Sequence, residues 1–410
     1  MIDHILSFHQ QDTAETTVDC IVVGGGPAGM MTGLLLARHG VRVTVLEKHA
    51  DFLRDFRGDT IHPSTMRVMD QLGIIDRFLT IPHRRMSTVA VSTPDGETVF
   101  ADFSRLPEPY NYVAFMPQWD FLDFLAQEAQ AFPSLELLRD AQVTDLLFDG
   151  NRVDGVRYKT PVGEKTLSAR LVIGADGRHS TVRAHTGLAR TESNAPMDVL
   201  WFRVSRQPDD KVPFVSTGQG FTIVAVDRGS YWQIAYCIPK GDYAELHSQD
   251  IDVVAERLND ALPVIGVRFR CEIASWDDLN LLTVSVNRLK RWHRPGLLCL
   301  GDAAHAMSPA GGVGINLAIQ DAIATSRILG PVLARGETPA DKLLGRVQRR
   351  RQWPARIVQA GQVRILADLY PKSIDAEYKT PRAAKVIRKS VFLQKTVARI
   401  IGIGLRPESL

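Results

Sequence analysis

Apolar residues in this chain come in short runs that end abruptly at glycines. Residues 20–23 are Cys-Ile-Val-Val, a run of strand length that stops at Gly24-Gly25-Gly26. Residues 28–39 carry a helical pattern closed by Gly40, a C-terminal stop signal. Residues 41–46 then alternate with a β-branched bias and predict a second strand. Strand, helix and strand in that order form a βαβ unit, and parallel strands imply a doubly wound sheet. A hairpin is expected around Asp95-Gly96, between runs 88–92 and 98–103. Further strands precede Gly174 (residues 171–173) and Gly301 (residues 297–300). Residues 199–204, 221–226 and 231–238 are strand-like and rich in tryptophan, so a mostly β unit is expected as an insertion. From Asn316 the pattern is helical to the last residue. Residues 1–18, polar and aperiodic, read as a loose extension.

Composition narrows the class. With 45% hydrophobic and 23% charged residues the chain has the make-up of a globular protein with a sizeable core. No apolar run is long enough to span a bilayer, and the first residues lack a secretory pattern, so a cytoplasmic location is expected. The four cysteines are scattered, three of them in apolar runs, which points to buried thiols in a reducing compartment. The net charge of +3 conceals an asymmetry: residues 331–410 hold 17 Lys and Arg against 6 Asp and Glu. On a helical wheel begun at Arg382, basic residues such as Lys385, Arg388 and Lys395 gather on one side. Ala383, Val386, Val391, Val397 and Ile401 gather on the other. The favoured expectation is a helix packed on the catalytic body; weak contact with an anionic membrane surface is the other reading. No nucleic-acid partner is expected, and the chain reads as a monomer or homodimer.

The chemistry lies at the glycine turns. Gly24-Gly25-Gly26-Pro27-Ala28-Gly29 fits G-x-G-x-x-G. Gly24 suits a tight turn, Gly26 a close approach by a pyrophosphate, and Gly29 close packing of helix on strand. The helix N-terminus that follows presents free N–H groups to phosphates. Glu47 ends the second strand where an acid can accept a ribose hydroxyl, and the basic Lys48 follows it. Gly174-Ala175-Asp176-Gly177-Arg178 follows another strand, with Ser180 and Arg183 shortly after. Gly301-Asp302-Ala303-Ala304-His305 follows a third, and residues 309–316, Pro-Ala-Gly-Gly-Val-Gly-Ile-Asn, open a helix. An aspartate at a strand end can bind a polyol such as a ribityl chain. Glycines at a helix start expose N–H groups to a flavin's pyrimidine edge.

These motifs, in this order, resemble the class A flavoprotein monooxygenases, typified by p-hydroxybenzoate hydroxylase, over roughly residues 18–330. The resemblance implies an α/β fold: a Rossmann-type FAD-binding domain (18–83, 104–190 and 286–330), an inserted mostly β substrate domain (84–103 and 191–285) and C-terminal helices (331–410). It implies non-covalent FAD held by Gly24, Gly26, Pro27, Ala28, Gly29, Glu47, Lys48 and Val143. Asp176 and Gly177 are linked to FAD and to the nicotinamide cofactor, and Asp302 to the ribityl chain. Pro309, Gly311, Gly312, Gly314, Ile315 and Asn316 lie against the isoalloxazine. Arg57 falls in a flavin-contacting arginine loop, and Gln118 on a flavin-binding glutamine. The implied chemistry takes NAD(P)H and O2 as co-substrates and proceeds through a flavin hydroperoxide. His62 and Pro309 are the side chains named for a catalytic role, and His305 reads as structural.

The β unit is expected to hold the aromatic substrate, with Trp201, Phe221, Trp232 and Tyr236 along an apolar pocket and Arg203 for an acidic group. The reaction implied is hydroxylation of an aromatic or polycyclic molecule. A quinone-precursor hydroxylase or epoxidase at the membrane surface and a flavin reductase of the same fold are the alternatives. A membrane-associated FAD protein acting through its tail is the rival from another class. Residues 231–239 share only an Ile-Pro end with the flavin halogenase signature. There is no nucleophile triad and no Cys/His cluster with metal spacing.

Overall fold

The computed structural model of the chain describes residues 17–53, 59–93, 96–193, 195–218, 221–369 and 382–410. Strand β1 (Thr17–Val23) runs into helix α1 (Pro27–Arg38) and strand β2 (Val43–Leu46). β1 and β2 pair in parallel, Cys20 opposite Val43. Residues 28–37 of α1 are all buried, as expected of a helix packed between a sheet and a second helix. Helix α2 (Pro63–Gln71), helix α3 (Gln118–Ala129), strand β3 (Leu135–Leu138) and strand β4 (Gly163–Gly174) follow. β4 pairs with β1 in parallel, and β3 with β2. Where both faces are covered, β1 and the end of β4 read as continuous apolar runs, residues 20–23 and 171–173.

The inserted region builds a seven-stranded sheet. Its middle is β5 (Met197–Ser205), β6 (Phe221–Asp227) and β7 (Tyr231–Pro239), with β7 between the other two. Thr88–Thr93 and Gly96–Asp102 form the hairpin at one edge, Thr93 opposite Gly96; Asp95 lies outside the described residues. Arg84–Met86 pairs instead with Val113–Phe115, in a separate small sheet. The region is less purely β than its pattern predicts. Helices α4 (Asp252–Ala261) and α5 (Pro263–Glu272) cover one face of the large sheet. Val254, Leu258, Ile265 and Phe269 point into that face at helical spacing.

Strand β8 (Leu297–Cys299) pairs with β4 and leads through Gly301 to helix α6 (Gly314–Ala334), which packs on α1. Helix α7 (Asp341–Leu369) returns along it. The tail is not the single helix of the wheel projection. It breaks at Ser390, whose hydroxyl accepts Leu393 N–H as an N-cap, into α8 (Arg382–Arg388) and α9 (Val391–Gly402). α9 lays Val397, Ala398 and Ile401 against Phe103, Leu106 and Val113. Val386 and Val391, placed by the wheel on the packed side, are exposed, and so is Phe392. Among the described residues no helix is long and apolar enough to cross a membrane.

Candidate cofactor and active site

The loops after β1, β2, β4 and β8 meet at the ends of the parallel strands. Gly24 has φ +104°, and a Cβ there would lie 2.5 Å from the Ala175 carbonyl, so the β1 turn and the β4 turn are in backbone contact. A Cβ on Gly29 would lie 1.8 Å from the Gly24 carbonyl. Gly26 differs: a Cβ there would meet nothing within 4 Å, and its φ is −73°. The loop is therefore shut on the protein side and open at Gly26, where a pyrophosphate would approach the N-terminus of α1. Pro27 and Ala28 begin that helix. Glu47, at the end of β2, accepts Gly25 N–H at 2.8 Å and His49 N–H at 3.1 Å, which braces the loop. Lys48 is exposed, and Val143 is buried on the strand Gln142–Asp149.

The second and third motifs are tied by one guanidinium. Arg183 donates to the carbonyls of Asp302 (3.2 Å), Ala303 (3.0 Å) and Arg178. Asp176 is turned inward: its carboxylate accepts Ser180 Oγ and Val182 N–H (3.0 Å), and burial raises its pKa against those bonds. The Asp176 carboxylate is thus engaged within the protein. It holds the start of the short helix Thr181–Thr186, leaving the backbone of Gly177 for a ligand. Asp302 stays accessible; its side chain is 32% exposed, with Arg178 at 3.6 Å.

At the opening of α6, Gly314, Ile315 and Asn316 occupy the first turn, whose N–H groups have no intrahelical acceptor. Pro309, Gly311 and Gly312 form the bend before it. The Asn316 side-chain amide is engaged within the protein. It accepts His62 N–H (3.0 Å) and Thr65 Oγ (2.7 Å) and donates to the Thr60 and Gly312 carbonyls. Its backbone faces the helix N-terminus while its side chain locks residues 60–65 to the bend. Arg57 lies outside the described residues. Gln118 opens α3, and its backbone N–H binds the Asp59 carboxylate.

His62, a catalytic candidate, is buried, and its Nδ1–H donates to the Ile401 carbonyl at 2.8 Å. It acts as a buckle between this loop and the tail. Burial, opposed by that hydrogen bond, depresses its pKa to about 4. An unfolded histidine titrates near ~6.5, so His62 contributes stability in full above that pH and loses it as pH falls toward 4, roughly 3 kcal/mol in all. Asp59 runs the other way. Burial raises its pKa to about 6 despite its ion pair with Arg228, so the folded state takes up this proton first and gains stability as pH falls from 6 to 4. His62→Gln, which keeps a donor for Ile401, is expected to unmask Asp59. Relative to the parent, the variant gains stability as pH falls from 6.5 to 4.5, read by urea unfolding at each pH. Parallel pH profiles would show that His62 is not buried neutral.

Below the Gly301 turn lies a network the sequence reading missed. Asp321 accepts Gly301 N–H (3.2 Å), His305 Nε2 (2.6 Å) and Arg351 Nε (3.0 Å). Burial alone would raise its pKa, yet His305 and Arg351 hold it below the usual carboxylate range. A lone acid within the apolar run of residues 315–324 was the available signal. His305 is thereby structural, its ring tilted against Trp292 with the ring centres 4.9 Å apart.

The large sheet has two unlike faces. Met197, Val199, Trp201, Ala235 and Cys237 share a cluster with Ala310 of the bend before α6. Phe221, Trp232 and Tyr236 belong to the opposite face under α4 and α5, and the expectation that they line the same pocket as Trp201 is corrected. Strand alternation sends odd positions of β5 one way and even positions the other. Arg203 shares the face of Trp201, exposed at the strand end with its guanidinium 5.0 Å from the Tyr231 ring centre.

The family model described as an FAD binding domain matches residues 17–361. The chain belongs to that family, the class A FAD-dependent aromatic monooxygenases. It is 30% identical over 390 residues to 6-methylpretetramide 4-monooxygenase of Streptomyces rimosus, covering 92% of this chain and 93% of that one. It is 26% identical over 338 residues to para-nitrophenol 4-monooxygenase of a Pseudomonas species, covering 78% and 80%. The crystal structure of p-nitrophenol 4-monooxygenase from Pseudomonas putida superposes with a TM-score of 0.73 at 22% identity, over 94% of this chain and 97% of that one. The protein is a flavoprotein monooxygenase that uses FAD. The open approach at Gly26, the accessible Asp302 and the free N–H groups at α6 fit that cofactor.

Proposed function

We propose that the protein hydroxylates a polycyclic aromatic substrate with NAD(P)H and O2. The observation that carries this reading is the sheet face of Val199, Trp201 and Ala235, which meets Ala310 of the bend where the isoalloxazine would lie. An apolar wall there favours a flat, fused-ring molecule and excludes water from the reacting centre. End-to-end similarity to a protein named for 6-methylpretetramide supports a multi-ring substrate over a single ring. When bound, FAD accepts reducing equivalents from NAD(P)H and activates oxygen for transfer to the ring. The chain's own part is to hold the pyrophosphate at Gly26 and α1, the ribityl chain at Asp302 and the pyrimidine edge at the start of α6. Trp201 positions the ring, and Arg203 meets an acidic substituent at the rim.

The test is stopped-flow absorbance of flavin reduction by NADH and by NADPH, with and without tetracyclic phenols and simple phenols. Reduction is expected to be slow alone and to accelerate with a multi-ring phenol, with oxygen consumed and a hydroxylated product formed. A reduction rate unchanged by every phenol would instead favour a flavin reductase of the same fold. Asp302→Ala is expected to weaken FAD binding by roughly 1.5–3 kcal/mol, the worth of a hydrogen bond to a charged group. Titration of apoprotein with FAD, followed by fluorescence quenching, measures it.

A further inference from the structure

The excess positive charge of the last 80 residues has a focus in the structure. Arg346, Arg349 and Arg350 share one face of α7, and Arg327 of α6 and Arg406 of the tail stand opposite. Together with Ile328 they line an open cleft of about 600 Å3, within the range of roughly 300–1,000 Å3 usual for small-molecule sites. Its base is built. The buried Glu408 carboxylate takes Arg327 NH2 at 2.6 Å and Arg350 Nε at 2.7 Å, which fixes two of the guanidiniums. Among the described residues Arg346, Arg349 and Arg406 pair with no carboxylate. Like charges spaced three and four residues apart on a helix repel one another. Here five guanidiniums converge on a concavity around one carboxylate, and an anion would relieve that repulsion.

We propose that this cleft binds the pyrophosphate of a nucleotide-sized ligand. Guanidinium forks match phosphate oxygens in pairs, and several on one wall suit a group with more than one negative charge. The concave form and its volume fit a mononucleotide or dinucleotide better than the backbone of a nucleic-acid duplex. The site is separate from the candidate flavin site: Arg327 lies 13 residues after Gly314, on the order of 20 Å along the helix at the standard rise. The proposal goes beyond the hydroxylase reading and does not depend on it.

The test uses the FAD-loaded protein, so that the cofactor's own phosphate loop is filled. Inorganic pyrophosphate is titrated by calorimetry at about 0.15 M salt, where diffuse surface attraction is screened. Saturable binding is expected, weakened roughly tenfold or more in Arg346→Ala/Arg349→Ala, since each lost fork removes a charge-assisted contact. Both side chains are exposed, so melting without ligand and flavin content should match the parent; Arg406→Ala, on a different segment, should weaken binding in the same way. Displacement of pyrophosphate by ADP would identify a free nucleotide as the source, and displacement by NADPH but not ADP a dinucleotide. No saturable binding, binding unchanged in both variants, displacement by neither nucleotide, or binding only of a short DNA duplex would overturn the proposal.

Discussion

Purified Gly29→Ala protein is expected to be colourless and to remain so when FAD is added. The added methyl would sit 1.8 Å from the Gly24 carbonyl oxygen and 3.3 Å from Val22 Cγ1, and the first of these is backbone that no rotamer change can move. Gly24 has little room to retreat: even a methyl placed on it would lie 2.5 Å from the Ala175 carbonyl oxygen, and its N–H donates to the Leu46 carbonyl. Overpacking in a well-filled core typically costs about 1–3 kcal/mol, and a backbone clash falls at or beyond the upper end. The turn and the start of α1 must move apart, and with them the N–H groups that would face the phosphates. Gly26→Ala is the companion variant. Its φ of −73° suits alanine and its Cβ meets no protein atom, so it should melt like the parent. It places a methyl in the path of the pyrophosphate, so it should still lose FAD affinity tenfold or more, about 1.4 kcal/mol. Fluorescence titration and thermal unfolding of both variants separate the two effects. Unchanged FAD affinity in Gly26→Ala would mean that the phosphates do not approach there.

The contrast between these glycines shows what could be read in the sequence. Strand, glycine loop, helix, strand and acid fall within residues 20–47, and each step is set by local preference: an apolar run, a turn residue, a helix start. Chemistry concentrated in one short stretch is visible without the rest of the chain. The Asp302 turn and the bend at 309–316 were readable for the same reason. What stayed hidden depends on residues far apart in sequence. His62 reads in the sequence as a free ring beside the 57–60 loop until Ile401 supplies its partner. Asp176 reads as a ligand-facing acid, yet the helix start that follows engages its carboxylate. The aromatic strands 197–205 and 231–239 revealed their alternation, but not which face would meet the bend at 309–316. That was decided by α4 and α5, which cover Phe202, Trp232 and Tyr236 and leave Trp201 for the other side. A basic tail likewise reads as a surface feature, although one of its acids, Glu408, is buried deep in the body.

Arg351→Met is expected to destabilise the protein by roughly 3–5 kcal/mol, the range for removing one partner of a buried ion pair. Arg351 is 1% exposed, and its guanidinium bridges Asp321 at 3.0 Å, Glu408 at 3.4 Å and the Arg406 carbonyl at 2.9 Å. Methionine fills much the same volume, so the loss is of charge and hydrogen bonds more than of packing. Two buried carboxylates then face each other's surroundings with one cation fewer. Asp321 keeps His305, and Glu408 keeps Arg327 and Arg350, which limits the damage. The effect should reach the cofactor, because Asp321 also holds Gly301 N–H, and Gly301 sets the place of Asp302. Weaker FAD retention is therefore expected alongside lower resistance to urea. Arg351→Met/Asp321→Asn tests the cause: neutralising the stranded carboxylate should restore part of the lost stability, a non-additive result that independent packing defects would not give. If the second substitution instead adds its own full penalty, Arg351 contributes by packing the tail against α6 and α7. Its link to the Gly301 turn would then be a matter of position alone.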